Sequence, residues 1–268
     1  MLEATGVANR IYATRDVVLR IATEHPDALT DARTESVAAP VARAAGVPVP
    51  RLLAFDDSRK LVDRPYSLWE RVQGETLGVF APRPQSVPDT WRVVGRQLAQ
   101  LHSRVEACPD PHGWLDRPER VTGIEGVLAT LASRALIVRD DAAEIEEWIK
   151  AIQPAVAVPT PRHFLHNDVH PMNLMCASDG SLLAIIDWGD AGWGDPVLEL
   201  AQVPVTAVPL VLEGYRSEAP ALLGERPEAR IIWDQLASWM EDLEQGSSRH
   251  DLDDIRQFVR ATERQWRT

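Results

Sequence analysis

The apolar and polar positions of this chain of 268 residues change their period after about the first seventy residues. A β-branched, apolar run at residues 17–21 predicts a strand. Alanine and other apolar residues then recur at helical spacing over residues 28–45, which predicts a helix. The beginning of the chain is therefore interpreted as strands around one helix.

The remainder of the chain is mainly helical in pattern. A proline-rich stretch at residues 82–88 is followed by apolar positions at helical spacing over residues 91–105, and residues 142–152 and 231–243 repeat that spacing. The chain is long enough for a sizeable core, and the change of period favours two lobes. The predicted fold class is α+β.

A β-hairpin is predicted in the middle of the chain. Two short apolar runs flank Asp179-Gly180, a dipeptide typical of tight hairpin turns. Symmetric pairing about this turn would place Asn173 opposite Ile186 or Asp187. An amide and a carboxylate that are distant in sequence are thus expected to lie side by side.

Three oxygen-bearing side chains around this hairpin indicate phosphoryl-transfer chemistry. Four residues separate Asp168 from Asn173, and Asp187 follows on the second strand. Mg²⁺ prefers hard oxygen ligands and is usually held by one or two carboxylates together with nucleotide phosphates, so Asn173 and Asp187 are candidate ligands. Asp168 then remains to orient the attacking hydroxyl, as the corresponding Asp does in the kinase pattern.

Arg20 is the candidate cation for the nucleotide phosphates. The sequence has no G-x-x-x-x-G-K-[ST] motif, which disfavours a P-loop enzyme, and its only lysines are Lys60 and Lys150. Arg20 lies in the first predicted strand, and Glu35 lies in the helix that follows. A strand cation paired with a helix glutamate is the ion pair of kinases, and arginine keeps its charge at every accessible pH.

These features resemble the aminoglycoside phosphotransferase family, a bacterial branch of the protein-kinase-like fold that includes kinases for aminoglycosides, macrolides and cyclic peptides. The resemblance spans nearly the whole chain. Its further segments are a nucleotide-covering hairpin at residues 6–12, a turn at 46–50, a strand and hinge at 65–75, and a metal loop at 186–196.

The resemblance implies a small β-rich N-terminal lobe, residues 1–71, and a larger helical C-terminal lobe, residues 72–268. It implies ATP or GTP, magnesium and a hydroxyl-bearing acceptor. His166 would support the catalytic loop. The residues it assigns to the nucleotide are Asn9, Arg20, Glu35, Glu70 and Val72.

Two positions depart from the family pattern. Asn167 stands between His166 and Asp168 where the family usually has glycine, and asparagine tolerates a positive φ if that position requires one. Glu199 stands where the family usually has aspartate. Neither change removes a residue of the predicted chemistry.

The net charge of the chain and the positions of its acidic residues bear on which ligands it can bind. The formal net charge of −12 argues against nucleic acid, whose phosphates need a basic surface. The acidic residues that accumulate near and after the metal loop form either a solvated face or part of a site for a cationic acceptor. They are Asp190, Asp195, Glu241, Asp242, Glu244, Asp251, Asp253 and Asp254.

The acceptor itself is predicted only as a class. A cationic antibiotic, such as an aminoglycoside, a tuberactinomycin-type peptide or a macrolide, would make this a resistance enzyme. An amino-alcohol, homoserine or sugar would fit the same catalytic residues. The acceptor residues suggested by position are Asp190, Trp188, Trp193, Glu199 and Tyr215.

Two other functions are compatible with parts of the sequence. A pseudokinase would bind nucleotide without turnover, and Asn167 makes that conceivable. A metal hydrolase could use His163, His166 and His170, but zinc peptidases place paired histidines on one helix beside a glutamate, and Pro171 opposes such a helix.

The expected compartment is the cytoplasm. The first five residues lack the features of a signal peptide, and no apolar run is long enough to span a bilayer. Only two cysteines are present, without metal-binding spacing. The expected state is a monomer or dimer without a membrane partner.

Overall fold

The computed structural model describes residues 2–5, 9–115, 117–247 and 250–267. Within the predicted nucleotide-covering hairpin, Gly6, Val7 and Ala8 lie outside the described residues. The predicted α+β fold class is confirmed: a small antiparallel sheet at the beginning of the chain is followed by a larger helical part.

The N-terminal sheet has five antiparallel strands in the order β1-β2-β3-β5-β4. Its last strand ends at Glu70, one residue before the predicted lobe boundary. The predicted strand at residues 17–21 is β3. The strands are β1 (Leu2–Thr5), β2 (Asn9–Ala13), β3 (Val17–Ala22), β4 (Leu52–Asp56) and β5 (Tyr66–Glu70).

The predicted first helix is α1 (Ala28–Ala44). All but the last of its alanines are buried, and among them lies the acidic side chain of Glu35. The helix ends in a turn at Gly46, where φ is +91°. Only glycine adopts such a φ without strain, so the turn occurs where the sequence predicts it.

Helices form most of the C-terminal part, and the three helical patterns predicted there correspond to α3, α5 and α7. α3 and α6 approach closely at Gly95 and Gly214. A Cβ at either glycine would lie 2.0 Å from a backbone oxygen of the other helix, so the close approach requires glycine. The helices are α2 (Leu77–Phe80), α3 (Pro88–Arg104), α4 (Ile124–Ser133), α5 (Arg139–Val156), α6 (Val208–Glu218), α7 (Pro227–Gln245) and α8 (Leu252–Trp266).

Two small sheets carry the residues of the predicted chemistry. The predicted hairpin is present as β8 and β9, with Leu174 opposite Ile185, and β6 extends it to three strands. β7 pairs with β10. The strands are β6 (Glu75–Thr76), β7 (His163–Leu165), β8 (Leu174–Cys176), β9 (Leu182–Ile185) and β10 (Gly192–Gly194).

The hairpin also contacts the N-terminal lobe, because the backbone N–H of Ile185 donates to the carbonyl of Pro48 at 2.8 Å. Pro48 belongs to the turn after α1. The described part of the chain contains no helix with the length and apolar character needed to cross a membrane.

Candidate functional site

The segment between β7 and β8 is a loop whose backbone is fixed by His166. This side chain is fully buried, and its Nδ1 accepts the backbone N–H of Asp168 at 3.2 Å. Its Nε2 then carries the proton and donates to the carbonyl of Ile186 at 2.9 Å. His166 therefore connects this catalytic loop, residues 166–170, with the end of β9, which is the supporting role predicted for it.

Glu199 holds the same loop from the opposite side. Its two carboxylate oxygens accept the backbone N–H groups of His166 at 2.6 Å and of Asn167 at 2.8 Å. The φ of Asn167 is +67°, a conformation that asparagine tolerates better than most residues. Both departures from the family pattern are therefore accommodated: asparagine adopts the positive φ, and the longer glutamate reaches both amides.

Asp168 and Asn173 are joined directly. The Nδ2 of Asn173 donates to Oδ2 of Asp168 at 2.8 Å and to its backbone carbonyl at 3.0 Å. The Nε2 of His170 lies 3.4 Å from the same carboxylate oxygen. Because the amide nitrogen of Asn173 faces Asp168, its amide oxygen lies on the other branch of the side chain, where it can bind a cation.

Arg20 bridges two carboxylates from different parts of the chain. Its Nη1 donates to both oxygens of Glu35 at 2.7 and 2.9 Å, and its Nη2 donates to Oδ1 of Asp187 at 2.8 Å. The predicted ion pair is therefore present, and it includes Asp187. This cluster connects β3 and α1 of the first lobe with the loop after β9.

Electrostatics keep Arg20 and Asp187 of this cluster ionised. Burial by itself lowers the pKa of Arg20, but the charges of Glu35 and Asp187 outweigh it and raise that pKa. Burial raises the pKa of Asp187, yet the nearby Arg20 cation holds it below its usual range. Burial also raises the pKa of Glu35, against the opposing effect of Arg20. Asp187 is thus a carboxylate at neutral pH.

A cavity of about 320 Å³ extends from this cluster between the lobes; we call it the inter-lobe cavity. Arg20, Glu35 and Asp187 lie at its polar end. Its remaining lining is largely apolar and includes the segment after β5, in agreement with the predicted hinge. That lining comprises Ile11, Val18, Val49, Pro50, Trp69, Glu70, Arg71, Val72, Gly74, Met175, Ile186 and Trp188.

The hinge offers backbone groups to a planar ligand. The N–H groups of Glu70 and Arg71 are used, since they donate to the carbonyls of Arg51 and Asp16. Val72 follows them and has no backbone hydrogen bond within the described residues. Asn9, by contrast, is buried in β2 and does not line the cavity. The assignment of Asn9 to nucleotide contact is therefore not supported by its position.

Asn173 and Asp187 suit a hard divalent cation that also binds phosphates. The carboxylate of Asp187 is about half exposed, and the structure shows Arg20 on only one of its oxygens. Two protein oxygens leave the remaining octahedral positions to phosphates and water, as Mg²⁺ prefers. Among the described residues, no group of three His, Cys, Asp or Glu side chains could hold a metal ion without such help.

A second cavity, of about 500 Å³, is bordered by Asn167 of the loop; we call it the acidic cavity. It is lined by Asn167, by the loop before α4 and by α7. Four carboxylates lie in this lining, and neither lysine nor arginine does. The carboxylates belong to Glu119, Asp234, Glu241 and Glu244.

Two of these four carboxylates are paired with an arginine, and two are not. Glu119 pairs with Arg162 at 2.8 Å, and Asp234 pairs with Arg120 at 2.8 Å. Glu241 and Glu244 are exposed on α7 and have no ion pair within the described residues. They are three residues apart and therefore lie on neighbouring positions of one helix face. The acidic cavity thus has negative charge near its opening that the described protein does not neutralise.

Three side chains assigned to the acceptor from sequence are buried, which corrects those assignments. Glu199 holds the catalytic loop as described. Trp188 is 1% exposed and packs edge-on against His166, its indole N–H donating to the carbonyl of Ile185. Tyr215 is 2% exposed, and its hydroxyl lies 2.8 Å from Nδ1 of His102. None of the three lines the acidic cavity.

The other two acceptor candidates lie near the surface but outside the acidic cavity. Asp190 is exposed. Trp193 is partly buried against Phe164 and borders a shallow depression with Arg162. Sequence reasoning missed Glu119 and Asp234 as lining residues, because nothing local marks a loop glutamate or a buried helix aspartate as part of a cavity.

The alternative metal site of three histidines is not formed. The Nδ1 of His163 lies 3.0 Å from the carbonyl of His102, on α3. His166 is committed to Ile186 and Asp168, and His170 accepts the backbone N–H of Met172. The three rings are therefore engaged separately, which argues against the metal-hydrolase hypothesis.

A family model and a set of solved structures show what the chain is similar to. The model of the phosphotransferase enzyme family matches residues 4–217. No curated protein shows significant sequence similarity to the chain. Similarity to solved structures is extensive in coverage and low in sequence identity, so it shows the fold alone.

Three solved structures illustrate that similarity. A choline/ethanolamine kinase family protein from Mesorhizobium loti has a TM-score of 0.56 and 22% identity, covering 97% of this chain and 84% of its own. Aminoglycoside phosphotransferase APH(4)-Ia, in a ternary complex with ADP and hygromycin B, has a TM-score of 0.58 and 17% identity, covering 99% and 92%. A GDP and kanamycin complex of an aminoglycoside phosphotransferase has a TM-score of 0.59 and 18% identity, covering 98% and 91%.

Proposed function

Because this chain belongs to the phosphotransferase enzyme family, we propose that it transfers the γ-phosphoryl group of ATP or GTP to a hydroxyl group of a cationic small molecule. An antibiotic acceptor, either an aminoglycoside, a tuberactinomycin-type peptide or a macrolide, would make it a resistance enzyme. The observation that carries the proposal is the hydrogen bond from Asn173 to Asp168, next to a loop whose Asn167 lines the acidic cavity and whose His166 bonds Ile186 of the inter-lobe cavity.

The nucleotide is assigned to the inter-lobe cavity. Arg20 would bind phosphate oxygens from the polar end, and the unengaged backbone of Val72 would bind the base at the hinge. Asn173 and Asp187 would hold magnesium, which when bound supplies positive charge for the phosphates. Solved relatives contain ADP, GDP and AMP-PNP, which supports the same use of this fold here.

Asp168 is the proposed base. Its carboxylate is partly exposed and is held by the amide of Asn173. In this position it would accept a hydrogen bond from the acceptor hydroxyl and receive its proton as the phosphoryl group is transferred. Phosphoryl transfer has a loose transition state, so positioning and electrostatics supply most of the rate. The general base contributes about 10²–10⁴-fold.

The acceptor is assigned to the acidic cavity. Glu241 and Glu244 lack a described cationic partner, so an amine of the acceptor would supply the missing charge. Hygromycin B and kanamycin are bound in two structures with this fold, which supports amine-bearing acceptors. A choline/ethanolamine kinase family protein also shares the fold, and a small amino-alcohol is the second candidate.

The test is nucleotide consumption with Mg²⁺ and either ATP or GTP, against aminoglycosides, a tuberactinomycin, a macrolide, choline and homoserine. We expect one class to stimulate turnover, and Asp168→Asn to lower it by about 10²–10⁴-fold while nucleotide affinity is retained. Asp57→Asn is the matched control, because Asp57 pairs with Arg33 outside both cavities.

Other outcomes would redirect the assignment. Asp168→Asn with unchanged turnover would refute the role of the base. Nucleotide binding without stimulation by any compound would favour a pseudokinase or an acceptor outside the panel. Stimulation by choline or homoserine alone would replace the antibiotic with a small metabolite.

A further inference from the structure

Three properties of Asn167 bear on its role: its φ, its backbone N–H and its side-chain amide. Its φ of +67° is one that glycine adopts freely, so the backbone alone would be served at least as well by glycine. Its N–H is held by Glu199 at 2.8 Å, which fixes the backbone at this position. Its side-chain amide makes no hydrogen bond within the described part of the chain.

The position of this side chain gives the amide a use. Asn167 lines the acidic cavity and directly precedes Asp168. Asn167 and Gln202 are the two amide side chains in that lining, and only Asn167 belongs to the catalytic loop. The lining carboxylates can only accept hydrogen bonds when ionised. The amide can both donate and accept. A ligand with a hydroxyl or amine beside the reacting hydroxyl would therefore find at Asn167 a partner for either group.

We propose that Asn167 is a specificity-determining residue whose side-chain amide hydrogen-bonds to the group next to the reacting hydroxyl of the acceptor. This inference rests on the proposed function, because it needs the acidic cavity to hold the acceptor. It selects amine- and hydroxyl-bearing acceptors, such as aminoglycosides, over compounds whose neighbouring group cannot hydrogen-bond, such as the quaternary ammonium of choline.

The decisive variant is Asn167→Gly, because it removes the amide while glycine retains the positive φ. Ala135→Gly is the matched control, since Ala135 also has a positive φ, of 55°, and lies outside both cavities. Binding of kanamycin, hygromycin B and choline is measured by calorimetry with AMP-PNP and Mg²⁺ present. Thermal melting of each variant confirms that the fold is retained.

We expect Asn167→Gly to raise the Kd of the tighter-binding aminoglycoside about 3- to 10-fold, the effect of one neutral hydrogen bond. The Kd of choline should change less than twofold, and Ala135→Gly should change neither. Equal loss for both acceptor types would indicate a loosened loop and overturn the proposal, as would an unchanged aminoglycoside Kd.

Failure of the proposed function would look different. If none of the three compounds bound the parent protein while AMP-PNP did, the cationic acceptor class would be wrong, and the inference would fall with it. If an aminoglycoside bound the parent and Asn167→Gly equally, the acceptor class would stand and only the inference would fall.

Discussion

The inter-lobe cavity and the acidic cavity both contain carboxylates, but these are compensated differently. In the inter-lobe cavity, Arg20 bonds both Glu35 and Asp187, so the protein supplies the cation itself. In the acidic cavity, Glu241 and Glu244 have no ion pair within the described residues. A cavity with its own cation suits an anionic ligand such as a nucleotide phosphate, whereas uncompensated carboxylates suit a ligand that brings the cation.

The catalytic loop borders the acidic cavity through Asn167, and its backbone is held by His166 and by Glu199. Glu199 is 1% exposed and accepts the backbone N–H groups of two consecutive loop residues. If this contact were lost, the two backbone N–H groups that directly precede Asp168 would have no acceptor. The position of the loop beside the acidic cavity therefore depends on Glu199.

The largest effect is expected for Glu199→Ala, which would leave two buried N–H groups without an acceptor. Each such group costs about 1–3 kcal/mol, so the free energy of unfolding should fall by about 2–6 kcal/mol. Urea denaturation measures this change. Glu213→Ala is the control, because Glu213 forms an exposed ion pair with Arg92. A loss no greater than that of the control would mean that Glu199 does not fix the loop.

Arg20→Lys tests whether the cation of the inter-lobe cavity must bond both Glu35 and Asp187. Lysine keeps the charge but cannot bond Glu35 and Asp187 simultaneously through a planar fork. Loss of one charge-assisted hydrogen bond, about 1.5–3 kcal/mol, predicts a fall of about 10- to 100-fold in kcat/KM for the nucleotide.

The control for that measurement is Arg33→Lys, since Arg33 pairs with Asp57 away from both cavities. Steady-state kinetics at varied nucleotide concentration distinguish the two variants. Equal kinetics for Arg20→Lys and the parent would show that a charge at this position is sufficient and that the bridge is dispensable.

The smallest effect is expected for the double variant Glu241→Gln with Glu244→Gln, which tests the acidic side. Exposed ion pairs contribute about 0.2–1 kcal/mol each, so the loss of two should raise the KM of a cationic acceptor about 2- to 30-fold. The effect should diminish at high salt, because screening weakens interactions between exposed charges.

Glu263→Gln is the matched control for the double variant, since Glu263 pairs with Arg267 on α8. Acceptor kinetics at low and high salt provide the measurement. A KM that does not change in the double variant would show that these two glutamates form only a solvated surface, the alternative left open by the sequence.

Much of the fold and of the catalytic centre could be predicted because the relevant signals are local. The apolar runs around Asp179-Gly180 specify a hairpin, and that hairpin brings Asn173 next to Ile186, whose N–H donates to the Asn173 carbonyl at 2.9 Å. The pairing of Arg20 with Glu35 followed from a strand and helix that adjoin in sequence. Helical periodicity likewise predicted α1, α3, α5 and α7.

The acceptor side could not be predicted in the same way. Trp188 lies in the predicted metal loop, and Glu199 and Tyr215 follow it in the sequence. All three are nevertheless buried, Trp188 against His166 and the other two against His102. Glu119 and Asp234 are 115 residues apart and reach one cavity only because a loop and α7 pack against each other. Sequence position alone carries no information about such contacts.

The sequence by itself determined the two-lobed fold and was enough to select Asp168, Asn173 and Asp187 as candidate site residues, because turn chemistry and residue spacing act over short stretches of chain. Only the tertiary structure decided which carboxylates remain uncompensated and that the amide of Asn167 borders the acidic cavity. Burial and ion pairing depend on residues far apart along the chain, so these properties exist only once the helices have packed.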